Sequence, residues 1–445
     1  MASPDTFNVA IVGGGLCGLS LAIALRKRSI PFKIYETRGS FTELGAGINI
    51  GPNTLQAFQL IDPSLGKALE QLWCRNPPGK ENVWMQIRLG APTDNHEDAT
   101  LVTELMAPPT GNVTVGRNDL LQALAERAGF ENAVFNKKLV GYSQTDENVE
   151  LNFADGTEAT ASAVVACDGI HSAVRRVMLG PDQPTTRPVY SGVGVYRGIL
   201  ATEDLEPILG SEGAHTSQIF VGPEGYVILY PIEHGKKVNT GFWSWKREQL
   251  PNPDDWVLPA QRKAMEAQFA QWGTVVHKIM HLMGNPPFFA THHHAAQPES
   301  HYQGRVCLIG DAAHSMSPHQ GAGAGQAMED AFVMAEVLSF VDKLRPAEKQ
   351  LEAAFKAYEA VRKPRSQRVL ETSHEAFSIW TALYEKSLTG GKLQRFVEEA
   401  KQRFQWIWHG DIEGQAERAT AAMKEALEES TLEAHPVATA RMEHN

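Results

Sequence analysis

The sequence predicts an α/β protein with three parts: a parallel-sheet domain wound with helices, an inserted α+β unit built on a mixed sheet covered by helices, and a helical C-terminal region. Three observations predict it. Near the start, an apolar strand runs into GGGLCG at Gly13–Gly18 and then into a helix. Between residues 190 and 290 the pattern changes to alternating, aromatic-rich strands followed by polar helical sequence. Late in the chain, GDAAHSMSPHQGAGAGQ at Gly310–Gln326 again joins an apolar strand to an amphipathic helix.

The first element is FNVAIV at residues 7–12, a short apolar strand, and LSLAIALRKR continues the helix after the glycines. Gly13, Gly15 and Gly18 occupy the first, third and sixth places of GxGxxG, where they serve the tight turn, the approach of backbone to a pyrophosphate and the packing of helix on strand. The strand FKIY then ends at Glu36, which lies 21 positions after Gly15. An acidic side chain at about that offset binds an adenosine ribose, so the stretch reads as a Rossmann-like dinucleotide site.

The stretch from Glu43 to Phe58 carries further glycines at Gly45 and Gly47 and leads into a helix. Residues 76–110, rich in Pro, Gly and Asn, read as a loop-rich excursion. Arg117 enters the next helix, where Asn118 or Asp119 is the expected cap. That arginine is either a solvated helix-end charge or a neutraliser of pyrophosphate. From Val149 the pattern is strand, turn at Ala154–Gly156, strand, and it ends in ACDGIHSAVRR, where Asp168 and Gly169 close a strand.

In the insert, GVGVYRGIL and YVILYPIEHGKKVNTGFWSW form strands, with a turn near His234 and Gly235, and helices are expected from Pro259 to Met283. The chain returns through the strand Val306–Ile309 to a helix whose buried face recurs at Ala327, Ala331, Met334, Ala335 and Leu338. Between them Gly321, Gly323 and Gly325 clear side chains from the backbone amides at a helix start. Asp311, being anionic, would repel a phosphate but accept from a sugar hydroxyl. After Arg345 come helical stretches that include YEAVRKPRSQRVL.

The 445 residues are 42% hydrophobic and 21% charged, an ordinary globular composition with room for two or three domains. A net charge of −11 argues against nucleic acid or an anionic membrane as partner, so an anionic ligand must be met by local arginines. No apolar run reaches the about 20 residues of a membrane span, and the N-terminal residues show no secretory pattern. Cys17, Cys74, Cys167 and Cys307 lie far apart without paired spacing. Reduced, packed thiols and a cytoplasmic location are therefore expected.

Taken together, GGGLCG with Glu36, Arg117 before a helix, ACDGIHSAVR and GDAAHSMSPHQGAGAGQ resemble the single-component FAD-dependent aromatic hydroxylases. The likeness is nearest to their salicylate hydroxylase branch, which includes fungal relatives that act on polyketide phenols. It spans nearly the whole chain and weakens in residues 76–110 and after Arg345.

The resemblance implies FAD as cofactor, with NAD(P)H as transient co-substrate. It implies a flavin hydroperoxide that passes oxygen from dioxygen to a small phenolic substrate. Gly13, Gly15, Gly18 and Glu36 would hold the pyrophosphate and adenosine ribose, and Arg117, Asp168 and Gly47 would also serve FAD. Asp311 would accept from the ribityl chain, and Pro318 with Gly321, Gly323, Ala324 and Gly325 would flank the isoalloxazine. Residues 1–75, 105–180 and 290–375 are expected to form the FAD-binding domain, residues 76–104 and 181–289 the substrate-binding domain, and residues 376–445 the C-terminal helical region. The assembly is expected to be a monomer or a homodimer.

Three residues are the catalytic candidates. Arg197 is a cation on an apolar strand, read either as a bidentate partner of a carboxylate or phenolate or as an edge-strand charge in a surface ion pair. Tyr230 is a hydrogen-bonding partner of the phenolate or a half-buried strand tyrosine. His319 follows Pro318, where an imidazole with an ordinary pKa near 6.5 suits proton transfer. His314 reads as structural. The run His292–His294 is not expected to hold a metal, because neighbouring strand residues face opposite ways.

Three activities stay open on this reading. They are hydroxylation of salicylate or a similar phenolic acid, with loss of carbon dioxide in the decarboxylative form; hydroxylation or dearomatisation of a larger polyketide or alkaloid ring; and a non-oxygenase flavin-binding role.

Overall fold

The computed structural model describes residues 7–42, 47–245, 250–252, 255–294, 296–342, 348–387 and 393–434. Gly45 and parts of the expected C-terminal region lie outside them.

Val9–Val12 is apolar at every position and buried throughout, as a parallel strand covered on both faces must be. It pairs in parallel with Phe32–Tyr35 on one side and Ala163–Ala166 on the other. The full six-stranded order is Tyr302–Gln303, Val306–Leu308, Ala163–Ala166, Val9–Val12, Phe32–Tyr35, Ala133–Val134, and only the first pair is antiparallel. This order does most to place the site. Four turns far apart in sequence, at Gly13, Glu36, Asp168 and Gly310, follow the C-terminal ends of adjacent parallel strands. In such sheets ligands bind at that edge.

The insert is an eight-stranded mixed sheet. Its order is Val257–Leu258, Phe288–His293, Val189–Ala201, Lys237–Trp245, Gly225–Ile232, Gln218–Gly222, Val83–Leu89, Leu101–Met106. One face, with Tyr196, Phe220, Phe242 and Phe288, packs under the helices Arg262–Gln268 and Thr274–Leu282. The other face carries Ile219, Val221 and Tyr226 against the long helix Glu348–Ser387 and the helix Leu393–Trp408.

Some local expectations change. Residues 83–106 are two paired strands at the sheet edge, because the run Trp84, Met85, Ile87 and Leu89 buries in the core despite the Pro and Gly around it. The helix Arg117–Ala128 starts two to three residues earlier than expected: Gly116 is its cap, no side chain caps it, and Asp119 falls inside the first turn. There its charge faces the positive end of the helix dipole. The helical segment after Pro259 divides into two helices. The expected domain divisions after residues 104, 289 and 375 fall inside the strand Leu101–Met106, the strand Phe288–His293 and the helix Glu348–Ser387. As a proposal, the division into domains belongs at the ends of those elements. Among the described residues no helix is long and apolar enough to cross a membrane.

Candidate functional site

The site begins at the first glycine turn. Gly13 has φ +103°, and a Cβ there would lie 2.5 Å from the Cys167 carbonyl oxygen, so only glycine fits between the two strand ends. At Gly18 a Cβ would sit 2.0 Å from the Gly13 oxygen, which fixes helix Leu16–Lys27 against the turn. Gly15 differs: nothing lies within 4 Å of its Cβ position, and the loop is bare toward the open side. Glu36 supports the loop from the next strand. Its Oε2 accepts from the Gly14 amide at 2.7 Å and its Oε1 from the Arg38 amide at 2.8 Å.

Asp168 lies at the start of the helix Ala173–Leu179, whose cap is Ser172, and accepts from the amides of Ala173 at 2.7 Å and Val174 at 3.2 Å. Burial pushes its carboxyl pKa up, and these hydrogen bonds oppose the shift. Asp311, by contrast, is exposed at the start of a short helix whose next three residues are buried.

The three late glycines turn out to have separate roles. Gly321, at φ +62°, closes the turn Pro318–Gln320 in the left-handed region. Gly325 lets helix Gly323–Leu338 approach its neighbour, since a Cβ would lie 2.6 Å from Thr54 Oγ1 and 2.8 Å from Asn53 Nδ2. Gly323 and Ala324 start the helix half-exposed, with Pro318 and Gly321 exposed before them. Gln320 is buried, yet neither of its amide atoms finds a partner among the described residues. A buried amide without partners, an open amide loop at Gly15 and a helix start turned to the same sheet edge fit a bound dinucleotide cofactor.

Behind the late loop lies a cluster that the sequence reading missed. Helix Gly323–Leu338 is buried on nearly all sides, and Glu329 and Asp330 are buried with it. Arg362 donates to Glu329 at 2.5 Å, Asp330 at 2.8 Å and Gln415 at 2.9 Å, and Arg365 binds both Glu329 oxygens at 2.7 and 2.8 Å. The other Asp330 oxygen accepts from the Gly310 amide at 2.9 Å and lies 2.6 Å from His314 Nε2, which gives His314 the structural part expected of it. The only signals in the sequence were Glu-Asp inside an apolar helix and two arginines three residues apart.

The cleft itself lies against the insert. Tyr230, Ile228 and Tyr226 alternate on one face of a strand, and the register sets them beside Asn239, Gly241 and Trp243. Arg197 pairs across from Gly241. Tyr230 donates its hydroxyl to the Gly47 carbonyl at 2.8 Å, and Arg197 reaches the same carbonyl at 3.4 Å and Asn239 Oδ1 at 3.3 Å. The strand is paired on both sides, and among the described residues Arg197 makes no ion pair with a carboxylate. Burial pushes the Tyr230 phenol up, while Arg197 and Arg117 pull it down. Arg117, at the start of its helix, therefore lies near enough to Tyr230 to act on its charge.

His319 occupies the other end of this face. It is boxed by Tyr226, Trp243 and Phe377, and its Nδ1 lies 2.8 Å from the Tyr226 hydroxyl. Burial, with His374 nearby, pushes its pKa down to about 3. The ring is therefore neutral at physiological pH, where the sequence suggested a group titrating near 6.5. Between the two ends Ile228, Trp243, Met316 and Gly323 stay half-exposed, which marks open space between sheet and loop. His292 stacks on Trp256 at 3.8 Å while His293 faces His374 at 5.6 Å, so the two point apart.

Comparison with known proteins adds the following. The family model for the FAD binding domain matches residues 6–373. The 6-methylsalicylate 1-monooxygenase atA of Aspergillus terreus is 34% identical over 441 residues, covering 97% of this chain and 95% of that protein. A salicylate hydroxylase of Pseudomonas putida is 33% identical, covering 94% of this chain and 95% of its own. Among solved structures, a salicylate hydroxylase substrate complex superposes with a TM-score of 0.80 at 31% identity, covering 94% of this chain and 98% of that one.

Proposed function

Because this chain belongs to the FAD-dependent aromatic hydroxylases, we propose that it hydroxylates a salicylate-like phenolic acid in the cleft between the insert sheet and the Pro318–Gly325 loop. When bound, FAD supplies the redox chemistry, accepting a hydride from NAD(P)H and delivering one oxygen atom of dioxygen to the ring. Gly13, Gly15 and Gly18 would hold its pyrophosphate, Glu36 its adenosine ribose and Asp311 its ribityl chain, with Arg117, Asp168 and Gly47 alongside. The amides that open the late helix, at Gly321, Gly323, Ala324 and Gly325, would lie by the ring with Pro318. There they favour negative charge.

The protein's own work is to bind, orient and keep water out. Arg197 is the observation that carries the reading: a half-buried cation with loose bonds of 3.3 and 3.4 Å and no carboxylate partner among the described residues. Such a guanidinium suits a carboxylate or phenolate held in bidentate fashion. Tyr230, beside it, gives a hydroxyl to the same anion by exchanging its bond to Gly47. His319, neutral, orients an oxygen from the far end. The two named relatives act on salicylate and 6-methylsalicylate, both ortho-hydroxy acids that carry the kind of anionic oxygen Arg197 would engage.

A larger polyketide or alkaloid ring is the second reading. Ile199, two residues from Arg197 on the same strand face, is 47% exposed, so the cleft has an apolar rim where a longer substituent would rest. The test is NAD(P)H oxidation by the FAD-loaded protein against salicylate, 6-methylsalicylate and larger phenols, with product masses. Stimulated oxidation with a gain of one oxygen, or of one oxygen with loss of carbon dioxide, supports the proposal. Consumption without any oxygenated product across the panel overturns it and leaves the flavin-binding role.

A further inference from the structure

Tyr226 and His319 are 93 positions apart in sequence, yet their side chains meet in a polar contact inside an aromatic box. Tyr226 is 2% exposed and His319 6%. Tyr226 sits mid-sheet, paired with Val221 on one side and Trp243 on the other, and its ring stacks on Trp243 at 5.8 Å. His319 is held from behind, because Trp380 Nε1 donates to its carbonyl oxygen at 3.2 Å and Phe377 packs on its ring at 5.1 Å. Neither ring has freedom to turn away from the other.

The bond between them has two possible directions, and burial decides. Were His319 Nδ1 the donor, the Tyr226 hydroxyl proton would need another acceptor, and among the described residues it has none. Leaving a buried hydroxyl proton unpaired costs more than the alternative. With Tyr226 as donor, Nδ1 accepts and the ring proton sits on Nε2, which makes no hydrogen bond to the protein among the described residues. A neutral imidazole carries one ring proton, so fixing one nitrogen fixes the other.

We propose that Tyr226 is a positioning residue that locks His319 in the Nε2–H tautomer, so that His319 offers the cleft a hydrogen-bond donor that selects an anionic oxygen of the substrate. The inference rests on the reading of His319 as a substrate-facing residue. It names the chemistry that end of the cleft prefers, a phenolate or carboxylate oxygen over a neutral hydroxyl. Burial keeps Tyr226 protonated by pushing its phenol well up. His374 on the long helix further disfavours a cationic His319.

The test uses FAD-loaded protein labelled with nitrogen-15 in histidine, with the His319 signals assigned by their loss in His319→Gln. The expected spectrum shows a protonated Nε2 and an accepting Nδ1, and a proton on Nδ1 overturns the proposal whatever the variants do. In turnover, Tyr226→Phe should raise KM for salicylate about tenfold with FAD content unchanged. If Tyr226→Phe stays within twofold of the parent while His319→Gln is impaired, the role of Tyr226 falls and the reading of the site stands. If His319→Gln is itself unimpaired, that reading of His319 fails and takes this proposal with it.

Discussion

The two sides of the late loop treat charge in opposite ways. Behind it, Glu329, Asp330 and Arg362 are buried, Arg365 is half-buried, and all four are bonded at 2.5 to 2.8 Å, with nearly every oxygen and nitrogen committed. In front, Arg197 is half-buried, its bonds are 3.3 and 3.4 Å long, and it has no acidic partner among the described residues. Buried ions that are fully paired hold a shape, because removing one partner strands the other. A cation held loosely at a cleft is one that a ligand can still engage. The difference separates charges committed to holding the loop from a charge still open to a ligand.

Four measurements probe the two kinds of charge, the largest expected effect first. Replacing Arg362 by Met leaves Glu329 and Asp330 without their shared partner, and unfolding free energy should fall by about 3–5 kcal/mol in a denaturant titration of the FAD-loaded protein. A change below about 1 kcal/mol would show that the cluster is not a structural clamp. Gly325→Ala forces a methyl onto Thr54 and Asn53. Its expected cost is about 1–3 kcal/mol in the same titration, by overpacking.

Tyr230→Phe removes a hydroxyl in front of the loop and should lower kcat/KM for a phenolic acid about tenfold, with stability nearly unchanged. Equal turnover would return Tyr230 to a packing role.

The fourth measurement is acid sensitivity. Burial alone would raise Asp330 and Glu329, but His314 and Arg362 for the first, and Arg362 and Arg365 for the second, hold both below their ordinary values. Their folded pKa values lie below the unfolded ones of about 3.9 and 4.3. The stability they add is therefore present above those values and is lost as pH falls through the carboxylate range. Melting curves between neutral pH and pH about 3 should show this loss, and Asp330→Asn should flatten it.

The glycine turns at the sheet edge were legible because they depend on local spacing. Gly13, Gly15, Gly18 and Glu36 lie within one strand–helix–strand unit, and the turns at Asp168 and Gly310 repeat a strand ending in a short polar turn. Their meeting at one sheet edge follows from parallel pairing, which apolar strands of this kind imply. The clamp was not legible, since its partners are 33 and 36 positions apart and a helix with a single apolar face was the simplest reading. That helix lies between others, so faces expected to be wet became interior. His319 was found by its place after Pro318, but its low pKa comes from Tyr226, Trp243 and Phe377, which no local pattern joins to it.

Arg197 is the proposed anchor of the substrate's anionic group. Salicylate titrated into oxidised FAD-loaded protein, followed by the flavin absorbance, should bind Arg197→Gln about 10–100-fold more weakly than the parent, as loss of a charge-assisted pair requires. The melting midpoint of the same sample should not move. Equal affinity in the two proteins, or weaker binding only in step with a lowered melting point, would contradict the placing of Arg197 at the working end of the cleft.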